Sequence, residues 1–239
     1  MKKVLFIMMA SLLTIVTNMF AQTTSSTTSI AASEVYTNGW NSIWGEWNPS
    51  TFVVDEKGSE NQSFTGFSLG FSHSVSLSRT SPLFMEVGLG GQYSFYEKEW
   101  YEEVSYESSY EGTVTYMSRR SRKLNMWSIK APISLLYRYD IPNSVVSLMP
   151  YAGIDLRFNI SGTQENYIGY KTLEYDVFDD GEMGGSDNTY NRFQLGWHIG
   201  VKANFLKHVM AGLSYGADFN EIAKKTKINT ITIAVGYIF

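Results

Sequence analysis

The chain has 239 residues, which is enough for one large all-β domain or for two small ones. Its 19 Lys and Arg against 23 Asp and Glu give a net charge of -4, and this balance argues against a nucleic-acid-binding protein, which normally has a basic surface. It contains no cysteine, which excludes disulfides, thiolate metal sites and a cysteine nucleophile. Past the N-terminus no run of about 18 apolar residues occurs, so no helix is expected to span a membrane.

Residues 1–21 predict a signal peptide for export. Two lysines precede an apolar stretch, Val4–Val16, that is too short to span a bilayer as a helix, and Ala21 provides a small residue at a cleavage site. A buried N-terminal helix is the alternative, but the order of charge, apolar core and small residue favours secretion. Residues 22–34 are rich in Ser, Thr and Ala and are predicted to be a flexible periplasmic lead-in, so the folded domain spans 35–239.

The sequence that follows alternates between apolar and small or polar residues, a pattern typical of strands whose two faces meet different surroundings. An eighth strand is expected within Val35–Trp47, although its tryptophans fit neither parity well. The other segments that alternate are Phe67–Leu77, Met85–Phe95, Trp127–Tyr139, Leu148–Phe158, Phe193–Phe205, Val209–Phe219 and Ile228–Phe239.

The connections between these segments fall into two sets that alternate along the chain. The tight set is 79–82, 141–144 and 206–208. The other set is polar and acidic and consists of about 48–63, 98–123 and 161–191, with 220–227 as its short member. Short turns at one end and long loops at the other are typical of outer-membrane barrels. We therefore predict an all-β fold, an eight-stranded antiparallel up-and-down transmembrane β-barrel with long extracellular loops and both termini periplasmic.

Alternation alone does not say which face meets lipid, because a soluble lipocalin-type barrel would bury the apolar set instead. The second set is mainly Gly, Ser and Asn, and small residues suit the crowded interior of an eight-stranded barrel. Its few charges nearly balance, as a closed polar interior requires. The predicted interior polar network consists of Glu86, Lys130, Arg138, Asp155, Arg157, His198, Lys202 and Asp218.

A specific ion pair follows from the tight turn predicted at 141–144. A hairpin closed there would set Lys130 opposite Asp155, with both side chains pointing inward. We predict an ion pair between these two residues. We favour a structural role for such pairs over a proton or ion path, because eight strands leave no open channel.

The last strand resembles the C-terminal assembly signal of outer-membrane barrels, with Tyr237 and Phe239 as the aromatic residues that the barrel-assembly machinery reads. Over about 64–239 the chain also resembles the PorT-like outer-membrane β-barrel domain family. The similar stretches are Pro82–Gly90, Pro150–Phe158, Phe193–Trp197 and Leu213–Phe219. The resemblance implies a bacterial outer-membrane barrel in contact with lipid and lipopolysaccharide, and it suggests an accessory role in transport or protein secretion.

Few residues are candidates for catalysis or metal binding. His198 faces the predicted interior together with Ser214 and Asp218, the residue types that a Ser-His-acid site needs. Outer-membrane lipid hydrolases point such residues toward the lipid, so we interpret His198 as a hydrogen-bonded interior histidine and expect no enzyme and no cofactor. The acidic, glycine-rich loop 176–187 offers oxygen ligands for Ca²⁺, but its spacing does not match an EF-hand, and a solvated loop is favoured.

Residues 98–123 combine glutamates and aromatic residues with a basic run, Arg119, Arg120, Arg122 and Lys123. We predict a hairpin above the membrane with opposite charges facing each other. Its exposed aromatic residues suit recognition of protein or sugar, whereas the basic run suits lipopolysaccharide phosphates. The leading hypothesis is a structural or interaction protein whose loops, 98–123 and 161–191, contact an envelope partner. The alternatives are the transport or secretion accessory and, third, a lipid-modifying enzyme.

Overall fold

A computed structural model describes residues 39–55, 61–78, 81–108, 112–168, 171–179 and 189–239. The predicted signal peptide and lead-in lie outside these ranges. The strands are β1 (Trp40–Val54), β2 (Gln62–Ser76), β3 (Leu83–Ser108), β4 (Gly112–Tyr137), β5 (Tyr139–Asp140), β6 (Val146–Ile168), β7 (Lys171–Asp176), β8 (Phe193–Phe205), β9 (Val209–Asp218) and β10 (Thr226–Ile238). Within this part of the chain, no helix has the length and apolar character needed to cross a membrane.

Eight of these strands close a ring. Neighbours pair antiparallel in the order β1, β2, β3, β4, β6, β8, β9 and β10, and β10 returns to β1 through a ladder that begins at Ser42 and Ile238. The predicted eight-stranded up-and-down barrel is therefore confirmed. The short strands β5 and β7 pair only with β6, at the short-turn end and the long-loop end respectively.

Several strands are longer than the alternation of polarity predicted. β3 and β4 have 26 residues each and β6 has 23, so the three continue past the barrel at the long-loop end. The first strand runs over Trp40–Val54 rather than 35–47. The pattern missed these extensions because a strand above the apolar band is polar on both faces, while its backbone groups still pair across the ladder.

The outward surface is an apolar band between two belts of aromatic residues. The upper aromatic belt, at the long-loop end, contains Trp47, Phe67, Phe95, Trp127 and Phe193. The lower aromatic belt, at the short-turn end, contains Tyr137, Tyr139, Phe205, Tyr237 and Phe239. Exposed aliphatic residues such as Leu69, Leu135, Ile199, Leu213 and Val235 lie between the belts. This arrangement is that of a membrane-spanning barrel.

The last residue of the chain closes the barrel. The amide of Phe239 donates to the carbonyl of Asn41 at 2.9 Å, and the amide of Asn41 donates to the carbonyl of Phe239 at 3.2 Å. The rings of Phe239 and Phe71 lie 6.2 Å apart, and Tyr237 stacks on His208 at 5.5 Å. The two residues predicted to form the assembly signal thus lie at the seam between β10 and β1, on the lower belt.

The interior is layered along the barrel axis. The upper apolar cluster contains Phe52, Phe64, Tyr96, Leu124, Met126, Val177, Ile222 and Ile228. The lower apolar clusters contain Trp44, Met210 and Ile238, and Phe84, Leu136 and Met149, with Trp40 packed against both. Charged and polar side chains fill the space between them, which we call the polar layer.

The turn after β5 differs from the predicted one and corrects the register. The amide of Ile141 donates to the carbonyl of Val146 at 3.2 Å, so the loop is longer by two residues than expected. Lys130 consequently lies opposite Arg157 rather than Asp155. The predicted pairing of Lys130 with Asp155 is wrong. Both side chains keep the inward face because a displacement of two positions preserves parity.

Candidate functional site

Glycines on two neighbouring strands make room for a tryptophan inside the barrel. A Cβ atom at Gly70 would lie 2.3 Å from Cζ2 of Trp44, and one at Gly90 would lie 2.5 Å from its Cη2. The Trp44 side chain is buried and packs between these strands and the lower apolar clusters. Small residues on the inward face therefore create the volume that this indole occupies.

One ion pair of the polar layer joins β8 to β3 across the barrel. The ammonium of Lys202 donates to Oε1 of Glu86, whose Oε2 accepts a hydrogen bond from the Ser74 hydroxyl at 3.1 Å. The Lys202 ammonium also lies 4.8 Å from the centre of the Tyr151 ring. Both charged groups are buried, so each depends on the other for the interactions that water would otherwise supply.

Two further ion pairs connect strands that are not neighbours in the ring. The Nζ of Lys130 on β4 donates to Oε2 of Glu46 on β1 at 2.9 Å. The Nη2 of Arg157 on β6 donates to Oδ2 of Asp218 on β9 at 2.7 Å. The side chains of all four residues are about one-tenth exposed. Each pair therefore links two strands that share no backbone ladder, in addition to the ladders that join adjacent strands.

The two ring nitrogens of His198 connect the side chains of Asp155 and Ser134. Its Nδ1 lies 2.8 Å from Oδ2 of Asp155, and its Nε2 lies 2.8 Å from Oγ of Ser134. These are the distances of a Ser-His-Asp triad. The Ser134 and His198 residues are 4% and 6% exposed, and the adjoining cavity has about 60 Å³, room for a few water molecules. The chain of hydrogen bonds therefore lies inside the barrel wall, next to a small cavity.

The partners of His198 differ from those predicted. Asp218 binds Arg157, and Ser214 forms a hydrogen bond with Tyr151. A Cβ atom at Gly153 would lie 2.7 Å from Nε2 of His198, so the imidazole lies over this glycine of β6 and reaches β4 beyond it. The sequence shows the glycine at position 153. That this glycine lies opposite His198 follows only from the register between β6 and β8, which the sequence alone does not give.

The structure brings together seven of the eight predicted interior residues: Glu86, Lys130, Asp155, Arg157, His198, Lys202 and Asp218. Arg138 lies apart at the short-turn end, where it donates to Asp140 at 2.8 Å. Sequence reasoning missed Glu46, because the tryptophans of the first strand obscured which parity faces inward. With Glu46 included, the layer has four carboxylates against three Lys and Arg.

Above the upper aromatic belt the strands continue as a four-stranded sheet, which we call the upper sheet. The β3–β4 ladder runs on to Ser108 and Gly112, the β4–β6 ladder reaches Arg120 and Ile168, and β7 pairs with the end of β6. The predicted hairpin, which continues β3 and β4 past the barrel, is confirmed. The hairpin is regular β-structure rather than an irregular loop, because its ladder of backbone hydrogen bonds is continuous to its tip.

Opposite charges face each other across this hairpin, as predicted. Lys123 and Glu97 approach to 2.9 Å, Arg120 and Glu102 to 3.0 Å, and Arg119 binds Glu99. The hydrogen bond and negative charge of Glu97 raise the pKa of Lys123 above its usual value. Because these groups are largely exposed, the pairs fix the register of the hairpin more than its stability.

Several large apolar and aromatic side chains lie among these charges and are exposed to solvent. Tyr101 is 65% exposed, Met117 61% and Tyr116 50%, and Trp100 is also exposed. Exposed Tyr, Trp and Met beside arginines are the composition that protein-binding surfaces favour. The upper sheet is therefore the surface of the described chain whose composition best fits a partner.

The acidic loop 176–187, for which a solvated loop was favoured over a Ca²⁺ site, lies mostly outside the described residues, which break off at 179 and resume at 189. In the portion that is described, Val177 is fully buried in the upper apolar cluster. Throughout the described ranges no three His, Asp or Glu side chains are grouped to hold a metal ion.

Comparison with known protein families assigns the chain to one family. The sequence matches the family described as outer membrane protein beta-barrel domain over residues 19–239. No curated protein sequence matches the chain significantly. Similar solved structures include Ail, the attachment invasion locus protein of Yersinia pestis, at 15% identity and a TM-score of 0.41, covering 84% of this chain and 99% of Ail.

Two other solved structures give similar values. Neisserial surface protein A is 16% identical with a TM-score of 0.42, covering 83% of this chain and 97% of that protein. The outer membrane enzyme PagL is 11% identical with a TM-score of 0.41, covering 80% of this chain and 97% of that protein.

Proposed function

Since the chain belongs to the outer membrane protein beta-barrel domain family, we propose that it is a non-enzymatic outer-membrane barrel that presents the upper sheet to a protein partner. The observation that carries this proposal is the continuation of β3, β4 and β6 past the barrel into a sheet with exposed Tyr101, Tyr116 and Met117. In this proposal the short turns and both termini are periplasmic, and the upper sheet is extracellular.

The interior supports an anchoring role for the barrel. Charged side chains of the polar layer are bonded to one another, and apolar clusters lie above and below them. The cavity of about 60 Å³ beside Ser134 and His198 is too small for a lipid or an ester. We therefore assign Ser134, His198 and Asp155 a structural role.

The charge arrangement of the upper sheet favours a protein over lipopolysaccharide phosphates as its ligand. Three of the four cations in the basic run, Arg119, Arg120 and Lys123, are engaged by glutamates of β3. Lipid and lipopolysaccharide would instead contact the aromatic belts and the apolar band. Tyr237 and Phe239 would serve the barrel-assembly machinery only during biogenesis.

A role as an accessory in transport or protein secretion is the second candidate, and the resemblance to PorT-like barrels favours it. In that role the barrel would be a membrane scaffold for other components, with its short turns as the contact surface. The two candidates differ in which end of the barrel binds the partner, and this difference is measurable.

Photo-crosslinking in intact cells tests the proposal. A photoreactive amino acid replaces Tyr101 or Met117 on the upper sheet, and Ser144 in a short turn serves as the matched control. Adducts at 101 and 117 but not at 144 are expected. Adducts confined to 144 would favour the accessory role instead. The gel mobility of unboiled and boiled samples verifies that each variant forms an SDS-resistant barrel.

A further inference from the structure

The upper sheet has a long edge along β3. The β2–β3 ladder ends at Thr65 and Phe95, whereas β3 continues to pair with β4 as far as Ser108. Among the described residues, no strand pairs with β3 on the other side beyond Phe95. We call residues Glu99–Ser105 the β3 edge. In an antiparallel ladder about half of the backbone N–H and C=O groups point to each side, so the β3 edge presents a row of them away from β4.

The β3 edge is acidic. Its seven residues include three glutamates and no lysine or arginine. Glu99, Tyr101 and Glu103 share one face, and Trp100, Glu102 and Val104 share the other. The glutamates that bind arginines of β4 keep much of their surface, since the side chains of Glu99 and Glu102 are 44% and 56% exposed. Each carboxylate has a second oxygen that can accept from a further cation.

Charge decides which strand can pair with this edge. A second copy of the chain, aligned antiparallel edge to edge, would bring glutamates against glutamates, and directly opposed like charges destabilise a sheet. A strand with Lys or Arg on both of its faces would meet Glu99 and Glu103 on one face of the sheet and Glu102 on the other. The other edge of the upper sheet consists of β7, which has only six residues and carries Lys171 as well as acidic residues, and of β4 beyond Arg120. Residues Gly112–Arg119 of β4 include Arg119 and no acidic residue, so neither part offers a uniformly acidic template.

Resting on the proposed function, and naming its partner more closely, we propose that the β3 edge binds an extended basic segment of another protein as an additional antiparallel strand. Backbone hydrogen bonds along Glu99–Ser105 would hold the segment, and Glu99, Glu102 and Glu103 would select lysine or arginine side chains. The exposed Tyr101 and Trp100 would cover the aliphatic parts of those side chains.

Peptide binding to the full-length barrel in lipid nanodiscs tests this proposal. The probe is a fluorescent nonapeptide that repeats Lys-Lys-Val, which puts lysine on both faces of an extended strand, and fluorescence anisotropy reports binding. The triple variant E99Q/E102Q/E103Q should weaken binding by about tenfold or more, since cross-strand charge pairs add up. The matched control neutralises the β7 edge with E174Q/D176N and should leave the affinity within about twofold.

A backbone-methylated form of the same peptide separates strand addition from simple charge attraction. Methylation of alternate amides leaves every lysine in place but removes the donors that a strand needs, so binding should be lost. Equal binding of the methylated peptide, or equal loss in the β7 variant, would overturn the proposal. Absence of peptide binding with adducts still found at 101 and 117 would refute this edge alone, whereas absence of those adducts would refute the proposed function.

Discussion

The ammonium of Lys130 and the carboxylate of Glu46 lie 2.9 Å apart across the barrel, although β4 and β1 are separated by two strands in the ring. This contact was unexpected, because the turn at 141–144 pointed to Asp155 as the partner of Lys130. Backbone hydrogen bonds hold adjacent strands together, but they do not connect opposite walls. The interior ion pairs supply that connection, and their removal should affect the stability of the barrel as a whole.

Loss of one member of this pair should cost more than loss of both. E46Q leaves Lys130 buried without its counter-charge and should lower the free energy of unfolding by about 3–5 kcal/mol. The double variant E46L/K130M should recover much of that loss, because the two opposite charges are then removed together. Urea unfolding in lipid vesicles measures both values. A double variant no more stable than E46Q would contradict this account.

Glycine positions on β3 should differ sharply in their tolerance of a methyl group. Gly90→Ala places Cβ against Trp44 and should destabilise the barrel by about 1–3 kcal/mol through overpacking. Gly91→Ala is the matched control, since its Cβ would meet nothing within 4 Å. Urea unfolding of the two variants tests the difference. Equal effects would show that Trp44 does not set the requirement for glycine.

The Ser134–His198–Asp155 chain should behave as a structural element. His198→Ala leaves Asp155 without its hydrogen bond and should cost about 2–4 kcal/mol, whereas Ser134→Ala should cost about 1 kcal/mol. A fluorophosphonate probe should not label the folded protein, because the cavity of about 60 Å³ does not admit it. Labelling of Ser134 that is lost in His198→Ala would identify a catalytic serine and refute the structural assignment.

Asp140 should contribute stability that is lost in acid. Burial acts to raise the pKa of its carboxyl group, but hydrogen bonds from Ser147 and Arg138 outweigh burial and hold the pKa below the usual value. Its contribution is therefore complete above the unfolded pKa, near 4, and disappears as the pH falls through the lower folded value. Asp140→Asn should lower stability at pH 7 by at most about 1 kcal/mol.

The comparison that checks Asp140 is urea unfolding of wild type and variant at pH 7 and at pH 3. The difference between them should shrink at the lower pH. A difference that stays constant would show that the effect of the substitution does not come from the charge of Asp140.

Local patterning was sufficient to predict the barrel but not its internal contacts. The alternation of apolar and polar residues identified the inward face of β3 and β8, because successive side chains there point in turn to the apolar band and to the interior. It failed in β1, where Trp44 faces inward against Gly70 and Gly90 and Trp47 faces outward on the upper belt. Whether a tryptophan fits inside depends on glycines of other strands, which the local sequence does not reveal.

The partners within the polar layer depended on turn length and on the stagger of the strands around the ring. A change of two residues in the turn after Asp140 placed Asp155 opposite Pro132 instead of Lys130, and its carboxylate forms a hydrogen bond with His198. The hairpin of β3 and β4 was easier to predict, because its charges face each other across a single ladder and no other strand intervenes.

Because the upper sheet extends past the barrel, most of its proposed binding edge lies at a distance from the lipid headgroups. At about 3.3 Å per residue, the β3 edge begins about 13 Å along the strand from Phe95 and ends about 33 Å along it, which at a tilt near 45° gives heights of about 9 Å at Glu99 and about 23 Å at Ser105. Electrostatic fields decay over about 8 Å at physiological ionic strength. Anionic headgroups should therefore compete for a basic ligand at Glu99 more than at Glu102 and Glu103, and the affinity of the β3 edge should depend only weakly on the charge of the surrounding lipid.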